Sequence, residues 1–253
     1  MRKIWPPVLA LIVVGITWEL VRYLAALPPI ILPSLKSVFE SVFTIRDLPT
    51  HFGITAAEAV VGFIIGNIAA VLIAITIIRW PNLENMIVPY AIALKTTPVV
   101  AFAPILLLWL HEGFMSKAVT AAAVCFFPTL INGVRGLRAV EQDYLDLFQS
   151  WKTNWVQTLM YLRLPSSLPY LFAAIKLSSS LAVVGAIVAE FVAADKGLGF
   201  LIVIFSRQSN TPEMFAAIFI STILGIVWFI VIVIIERLMA KRYGFLVQKD
   251  EFF

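Results

Sequence analysis

Six hydrophobic runs divide the chain. They cover Pro6 to Leu24, Ala56 to Ile78, Met86 to Leu110, Ser116 to Val134, Leu168 to Ala194 and Met214 to Ile235. Each is close to the ~20 residues that a helix rising ~1.5 Å per residue needs to cross the ~30 Å hydrocarbon layer of a bilayer. Pro, Gly and charged residues separate the runs, which favours helices over the weakly alternating strands of a barrel. The pattern predicts an all-α membrane protein with about six spanning helices. The stretch from Ala139 to Pro169 has a different texture. Tyr144, Phe148, Trp151 and Trp155 recur at three- or four-residue spacing, and Asp143, Asp146, Gln149 and Ser150 fall between them. That spacing predicts a helix with one apolar and one wet face. It serves either to dock onto something in the aqueous phase or to tether two spans along the surface.

Several positions inside the runs carry further information. Pro89, Pro98 and Pro104 all fall in the third run. Proline removes a backbone donor and breaks the helical ladder, and a bilayer tolerates this only where protein or a water-filled cavity satisfies the freed carbonyls. The third span is therefore expected inside the bundle, beside any pathway. Gly62 and Gly66 have the spacing that lets a neighbouring helix come close. Ser178, Ser179 and Ser180 suit a close helix contact or a pore lining. The segment Leu27–Ser34, LPPIILPS, is expected to form a short irregular element at the membrane surface. Glu19, Glu58, Lys95, Lys176 and Glu190 lie within or near the runs, where a charge costs about 2.5–3.5 kcal/mol at mid-bilayer on insertion scales. They read either as snorkelling or paired structural groups, or as lining of a translocation path in which Lys95 and Lys176 favour an anionic or polar solute.

Composition supports a membrane assignment and removes several alternatives. The chain is 61% hydrophobic and 13% charged, against roughly 45–50% and about 25% for a soluble domain. The net charge of +4 comes without a dense basic run, so nucleic-acid binding is not expected. With the N-terminus placed in the cytoplasm, eleven of the nineteen Lys and Arg fall on the cytoplasmic side, five outside and three within or at the edge of spans. This bias places both termini and the Ala139–Pro169 stretch inside. The apolar N-terminal run has no convincing cleavage site and is expected to be retained as a span. The single cysteine, Cys125, reads as a buried structural thiol. The two histidines are far apart, no carboxylate pair or nucleophile elbow is visible, and none of the twelve glycines precedes a lysine as a phosphate-binding loop requires. The chain is expected not to be an enzyme, to bind no metal or cofactor, and not to hydrolyse ATP itself.

The segment Asp146–Pro165 resembles the coupling loop of binding-protein-dependent ABC transporter permeases. That family's pattern is an acidic residue before two alanines, a glycine shortly after, and an I-x-L-P ending. Here Asp146-Leu147-Phe148, Lys152 and Leu162-Arg163-Leu164-Pro165 occupy those places, so Leu147 and Phe148 replace small residues and Lys152 replaces the glycine that opens the turn. The blocks Ser116–Val134 and Arg163–Ile202, together with LPPIILPS, resemble the nitrate, sulfonate and taurine group, which also includes permeases for riboflavin and for pyrimidine precursors of thiamine. The resemblance covers nearly the whole chain. It implies a type I ABC importer transmembrane fold in a single domain, residues 1–253, with a cytoplasmic coupling loop over about 139–167. It also implies a multi-pass permease in the cytoplasmic membrane of a prokaryote, working as two copies with cytoplasmic ATPase subunits that use the ATP and an external solute-binding protein. By resemblance, Asp146, Phe148, Gln149, Trp151, Lys152, Trp155, Leu164 and Pro165 contact the ATPase. Lys95, Pro98, Lys176, Ser179 and Glu190 are the expected pathway residues. The solute is either an anion of the nitrate, sulfonate or taurine kind or a heterocycle such as riboflavin or a pyrimidine. The alternative is an ion-coupled secondary transporter using Glu58, Glu190 or Lys95, which would leave the Asp146–Pro165 pattern as coincidence.

Overall fold

The computed structural model describes residues 5 to 243, without the side chains of Pro7, several positions between Val88 and Val99, Arg242 and Tyr243. Arg2, Lys3 and Lys249, which entered the charge bias, and the side chain of Lys95 therefore lie outside the described residues. All regular structure among the described residues is helical: α1 Trp5–Leu24, α2 Leu35–Thr44, α3 Leu48–Arg79, α4 Asn82–Thr96, α5 Val99–Leu110, α6 Phe114–Arg138, α7 Gln142–Ser150, α8 Trp155–Thr158, α9 Leu164–Val192, α10 Leu198–Arg207 and α11 Thr211–Tyr243. Four helical stretches among the described residues are long and apolar enough to cross a membrane: Leu48–Arg79, Phe114–Arg138, Trp155–Val192 and Thr211–Lys241. The first and third hydrophobic runs supply α1 and the α4–α5 pair.

The centre of the molecule is the three-helix contact of α3, α6 and α9. Small residues on each make it possible. On α3 the buried face reads Ala59, Gly62, Gly66, Ala70 and Ala74, at the three- and four-residue spacing of one helix side. A Cβ at Gly66 would overlap the backbone carbonyl of Ala122 on α6, and one at Gly185 of α9 would press on Ala121. Such close backbone approach replaces the hydrophobic drive that lipid cannot supply. A polar node pins the same contact. The hydroxyls of Thr129 (2.6 Å) and Ser178 (3.1 Å) both donate to Asn67 Oδ1, while Asn67 Nδ2 donates to the Phe63 carbonyl (2.7 Å). Ser178 is thus a fully buried helix-contact residue, and Ser179 next to it is fully buried as well. The Cys125 thiol is buried beside them and donates to the Ser178 carbonyl at 3.2 Å.

The third run is broken once, not three times. Pro98, with φ −58° and ψ 129°, separates α4 from α5, whereas Pro89 and Pro104 sit inside continuous helices. The sixth run is longer than its apolar core, because α11 continues to Tyr243. That extension brings Glu236 into the bundle, where its Oε2 lies 3.0 Å from Lys176 Nζ on α9; the two residues are 1% and 4% exposed.

Among the described residues, the hydrogen bonds and ring contacts that tie α1 to other elements lie near its C-terminal end. Trp18 Nε1 donates to the Pro33 carbonyl (2.9 Å), the Trp18 ring meets Phe215 edge-on, and Glu19 Oε1 accepts from the Leu35 N–H (2.7 Å). Glu19 therefore serves the start of α2, whose N-cap is Ser34. The segment before it is tied to α11 by the Thr211 hydroxyl, which donates to the Ile30 carbonyl at 2.7 Å.

If small residues set the α3–α6 distance, two glycine substitutions in one helix diverge. Gly66→Ala should lower stability by about 1–3 kcal/mol through overpacking. Gly53→Ala, where an added Cβ meets nothing within 4 Å, should gain about 0.5–1 kcal/mol from helix propensity. Thermal unfolding of the detergent-solubilised variants measures both, and a Gly66→Ala protein as stable as the wild type would contradict the packing.

Candidate functional site

Two polar regions stand at opposite ends of the bundle. At one end, α7 and α8 form a short helical hairpin between α6 and α9. The amphipathic pattern predicts a single helix, but the chain reverses after Trp151. The cause is local. The N–H of Lys152 bonds to the Gln149 carbonyl (2.9 Å) and that of Thr153 to the Phe148 carbonyl (3.2 Å). This is a Schellman closure with Lys152 in the left-handed position at φ +53°. Asn154 then starts α8 with a capping box to Gln157. Lys152, the residue standing where the resemblance expects glycine, thus adopts the conformation that glycine adopts most readily.

The hairpin divides the predicted contact residues into two sets. Asp146, Gln149, Trp151, Lys152 and Pro165 are exposed, and Phe148 is half-buried with its ring 5.7 Å from that of Trp151. Trp151 (65% exposed), Tyr144 and Leu147 together present an apolar patch away from the bundle. Trp155 and Leu164 instead pack inwards against the cluster of Ala74, Ile77, Leu130 and Leu137. The Arg79 guanidinium lies over the Trp155 ring at 5.4 Å.

Below the hairpin, residues Leu159–Arg163 form a π-helical turn, closed by the Leu164 N–H on the Leu159 carbonyl. Pro165 explains it, because its ring has no N–H to continue the ordinary ladder. Arg163 Nη1 donates to the Leu137 carbonyl (2.8 Å), and Arg138 forms a two-pronged pair with Glu84. The hairpin is therefore fastened to the ends of α3 and α6, and the end of α6 is in turn paired with α4.

At the opposite end, side chains of α3 and α9 hold the start of α10. His51 Nδ1 accepts from the Gly197 N–H (3.0 Å), Thr55 Oγ1 from the Leu198 N–H (2.8 Å) and Glu190 Oε2 from the Gly199 N–H (2.5 Å). The Thr55 hydroxyl donates in turn to Glu190 Oε1 at 2.6 Å. Lys117 Nζ on α6 lies 3.5 Å from Glu58 Oε1, and both side chains are buried. A cavity of 460 Å³ lies over Lys117, walled by Glu112 and Gly113 on one side and by Ala193, Ala194 and Asp195 on the other.

Of the expected pathway residues whose side chains are described, Lys176 and Ser179 lie together and Glu190 stands apart from them. Lys176 pairs with Glu236, and the Ser179 hydroxyl donates to the Lys176 carbonyl (2.7 Å). Glu190 stands fourteen residues further along α9, about 21 Å away at the helical rise. Pro98 is exposed at the α4–α5 break. The hydrophobic pattern misses Lys117 as an in-bundle charge, because it stands at the very edge of the fourth run, whereas α6 begins earlier, at Phe114. It misses Glu236 because the apolar run stops one residue earlier. It misses α10, whose ten residues are too short to register as a span.

The sequence model of the family described as "Binding-protein-dependent transport system inner membrane component" matches residues 62–244. The formylaminopyrimidine transport permease protein of Halalkalibacterium halodurans is 28% identical over 92% of this chain and 94% of its own length. The riboflavin transport system permease protein of Chloroflexus aurantiacus is 35% identical over 65% of this chain and 60% of its own. A putative aliphatic sulfonates transport permease of Bacillus subtilis is 27% identical over 88% of this chain and 82% of its own. Among solved structures, the MetNI methionine ABC transporter in inward-facing conformations shares the fold, with a TM-score of 0.61 at 15% identity over 80% of this chain and 94% of that one. The all-helical architecture is therefore the type I ABC importer transmembrane fold, and the chain belongs to the family of binding-protein-dependent transport system inner membrane components, as a multi-pass permease subunit of an ABC importer for small solutes.

Proposed function

We propose that this permease carries a small heterocycle, with the α7–α8 hairpin as the element that receives the ATPase. The observation that carries the docking role is the patch of Tyr144, Leu147 and Trp151, which faces away from the bundle on a hairpin fastened to α3 and α6. A large aromatic at the centre of an exposed apolar patch is the kind of group that dominates an interface. Asp146 and Gln149 add polar contacts beside it, and Phe148 backs Trp151. Trp155, Leu164 and Arg163 act on the other side of the joint, passing movement of the hairpin to α3, α6 and α9. ATP is bound and hydrolysed by the partner, and this chain needs no cofactor of its own. The hairpin end and both termini face the cytoplasm, and the binding protein delivers solute to the opposite end.

Two copies of the chain form the pore in this reading. Exposed apolar residues on α4 and α5, among them Tyr90, Val100, Leu108 and Trp109, support a second copy facing the Pro98 break. The heterocycle is favoured by charge bookkeeping inside the bundle. Among the described residues, Lys117 and Lys176 inside the bundle each face a carboxylate, so neither is left to attract an anion. An anionic solute such as a sulfonate, taurine or nitrate is the second reading, supported by the sulfonate-transporting relatives. The ion-coupled alternative draws no support from the relatives, and Glu58 and Glu190 are engaged by neighbouring helices.

Proteoliposomes holding this chain, its co-encoded ATPase and its binding protein test the reading. Uptake should require ATP and prefer a labelled aminopyrimidine or flavin over taurine or an alkanesulfonate. Uptake driven by an ion gradient without the ATPase would overturn the mechanism, and exclusive uptake of the sulfonate would overturn the solute class. In the same system Trp151→Ala and Asp146→Lys should reduce ATPase co-purification, with the tryptophan change costing at least 2 kcal/mol of binding, about thirtyfold. The turn supplies a separate check. Lys152→Gly should retain uptake, because glycine adopts the left-handed conformation freely. Lys152→Val, whose branched side chain resists it, should lose most of it.

A further inference from the structure

The hydrogen bonds at the start of α10 form a set that the transport reading does not use. Three successive backbone N–H groups, those of Gly197, Leu198 and Gly199, are taken by three side chains from two other helices: His51 and Thr55 of α3 and Glu190 of α9. The sequence is shaped for this. Gly197 has φ +114°, and a Cβ at Gly197 or Gly199 would run into the Glu190 carboxylate. The carboxylate also suits the positive end of the helix it holds. Thr55 is the joint of the set, since one hydroxyl both donates to Glu190 and accepts from Leu198. Glu190 and Thr55 are 2% and 0% exposed, so these bonds have no water to replace them when they break.

What the set holds is the turn 193–197. The same turn, through Ala193, Ala194 and Asp195, is one wall of the 460 Å³ cavity over Lys117. The opposite wall, Glu112 and Gly113, belongs to the connection into α6. The position of α10 therefore fixes the width of the cavity mouth. Along α10 only Leu198, Gly199 and Leu201 are fully buried, while Phe200, Ile202 and Phe205 pack half-buried against the core and Phe200 stacks on His51.

We infer that Thr55 and Glu190 are positioning residues for transport, which latch α10 against α3 and keep the 193–197 wall of this cavity closed until solute is delivered. The inference rests on the proposed orientation, in which this end faces the outside. Movement of α10 away from α3 breaks the His51 and Thr55 bonds, leaving Glu190 of α9 as the one remaining acceptor of the three, and the wall swings with it. The latch thus makes the outer cavity two-state rather than continuously deformable.

The test places one cysteine in the wall, Ala194→Cys in a Cys125→Ser background, and follows its labelling by a membrane-impermeant maleimide on intact cells. Thr55→Val keeps the shape of the side chain but removes its donor and acceptor. Thr55→Ser keeps both. The latch predicts labelling at least about tenfold faster in Thr55→Val, the factor expected for a lost buried hydrogen-bond pair, and a return to the original rate in Thr55→Ser. Gly199→Ala leaves the Thr55 side chain itself unaltered, but its Cβ would press on the Ile187 carbonyl and on the Glu190 side chain that Thr55 also bonds, so it should behave like Thr55→Val. ATP hydrolysis in the absence of binding protein should rise in the same two variants, while co-purification of the ATPase stays unchanged. Labelling of Thr55→Val and Gly199→Ala at the original rate overturns the latch. Labelling only after the membrane is permeabilised, in every background, overturns the orientation on which it rests.

Discussion

The close approach of α3, α6 and α9 is the constraint on which the rest of the molecule depends. Gly62, Gly66 and Gly185 remove the side chains that would hold these helices apart, and Asn67 joins them through Thr129 and Ser178. Lipid offers no hydrophobic gain for bringing apolar helices together, so backbone contact and polar nodes must supply it. Both functional ends hang from this contact. α3 carries His51, Thr55 and Glu58 at one end and Arg79 at the other. α6 carries Lys117 at one end and Arg138 at the other. α9 carries Glu190 at one end and begins in the hairpin at the other. A movement of the hairpin is therefore imposed on helices that also hold the opposite end.

The buried charges fit the same view. Lys117 faces Glu58, Lys176 faces Glu236, and Glu190 accepts two hydrogen bonds. A buried pair adds little net stability, but loss of one partner leaves an uncompensated charge and costs about 3–5 kcal/mol. Such pairs serve to fix which residue meets which. Lys176 with Glu236 sets the register of α9 against α11, and Lys117 with Glu58 that of α6 against α3. Neither pair resembles a charge waiting for a solute.

Much of this was legible in the sequence, and the remainder failed for identifiable physical reasons. Long apolar runs, the glycine spacing in α3 and the break at Pro98 are local signals, and they mark spans, a close contact and a discontinuity. The pairings of Lys117 with Glu58 and of Glu236 with Lys176 depend on where helices end, and apolar runs end before helices do because charged residues extend the last turn. α10 is too short for a span and too apolar for a loop. In the hairpin, Trp155 continues the three- and four-residue spacing of Tyr144, Phe148 and Trp151, yet it lies beyond a chain reversal and faces the bundle. The reversal comes from a left-handed Lys152, a conformation that the residue type alone does not announce.

The claim most central to this account is that the outward patch of the hairpin is where the ATPase sits. Site-directed cross-linking measures that directly. In a Cys125→Ser background, Leu147→Cys places a thiol within the patch, and Tyr23→Cys places one on an exposed position at the end of α1. After reconstitution with the ATPase and treatment with a short bifunctional maleimide, position 147 should give a cross-linked permease–ATPase product and position 23 should give none. Absence of the product at 147, or equal yield from both positions, would contradict the account.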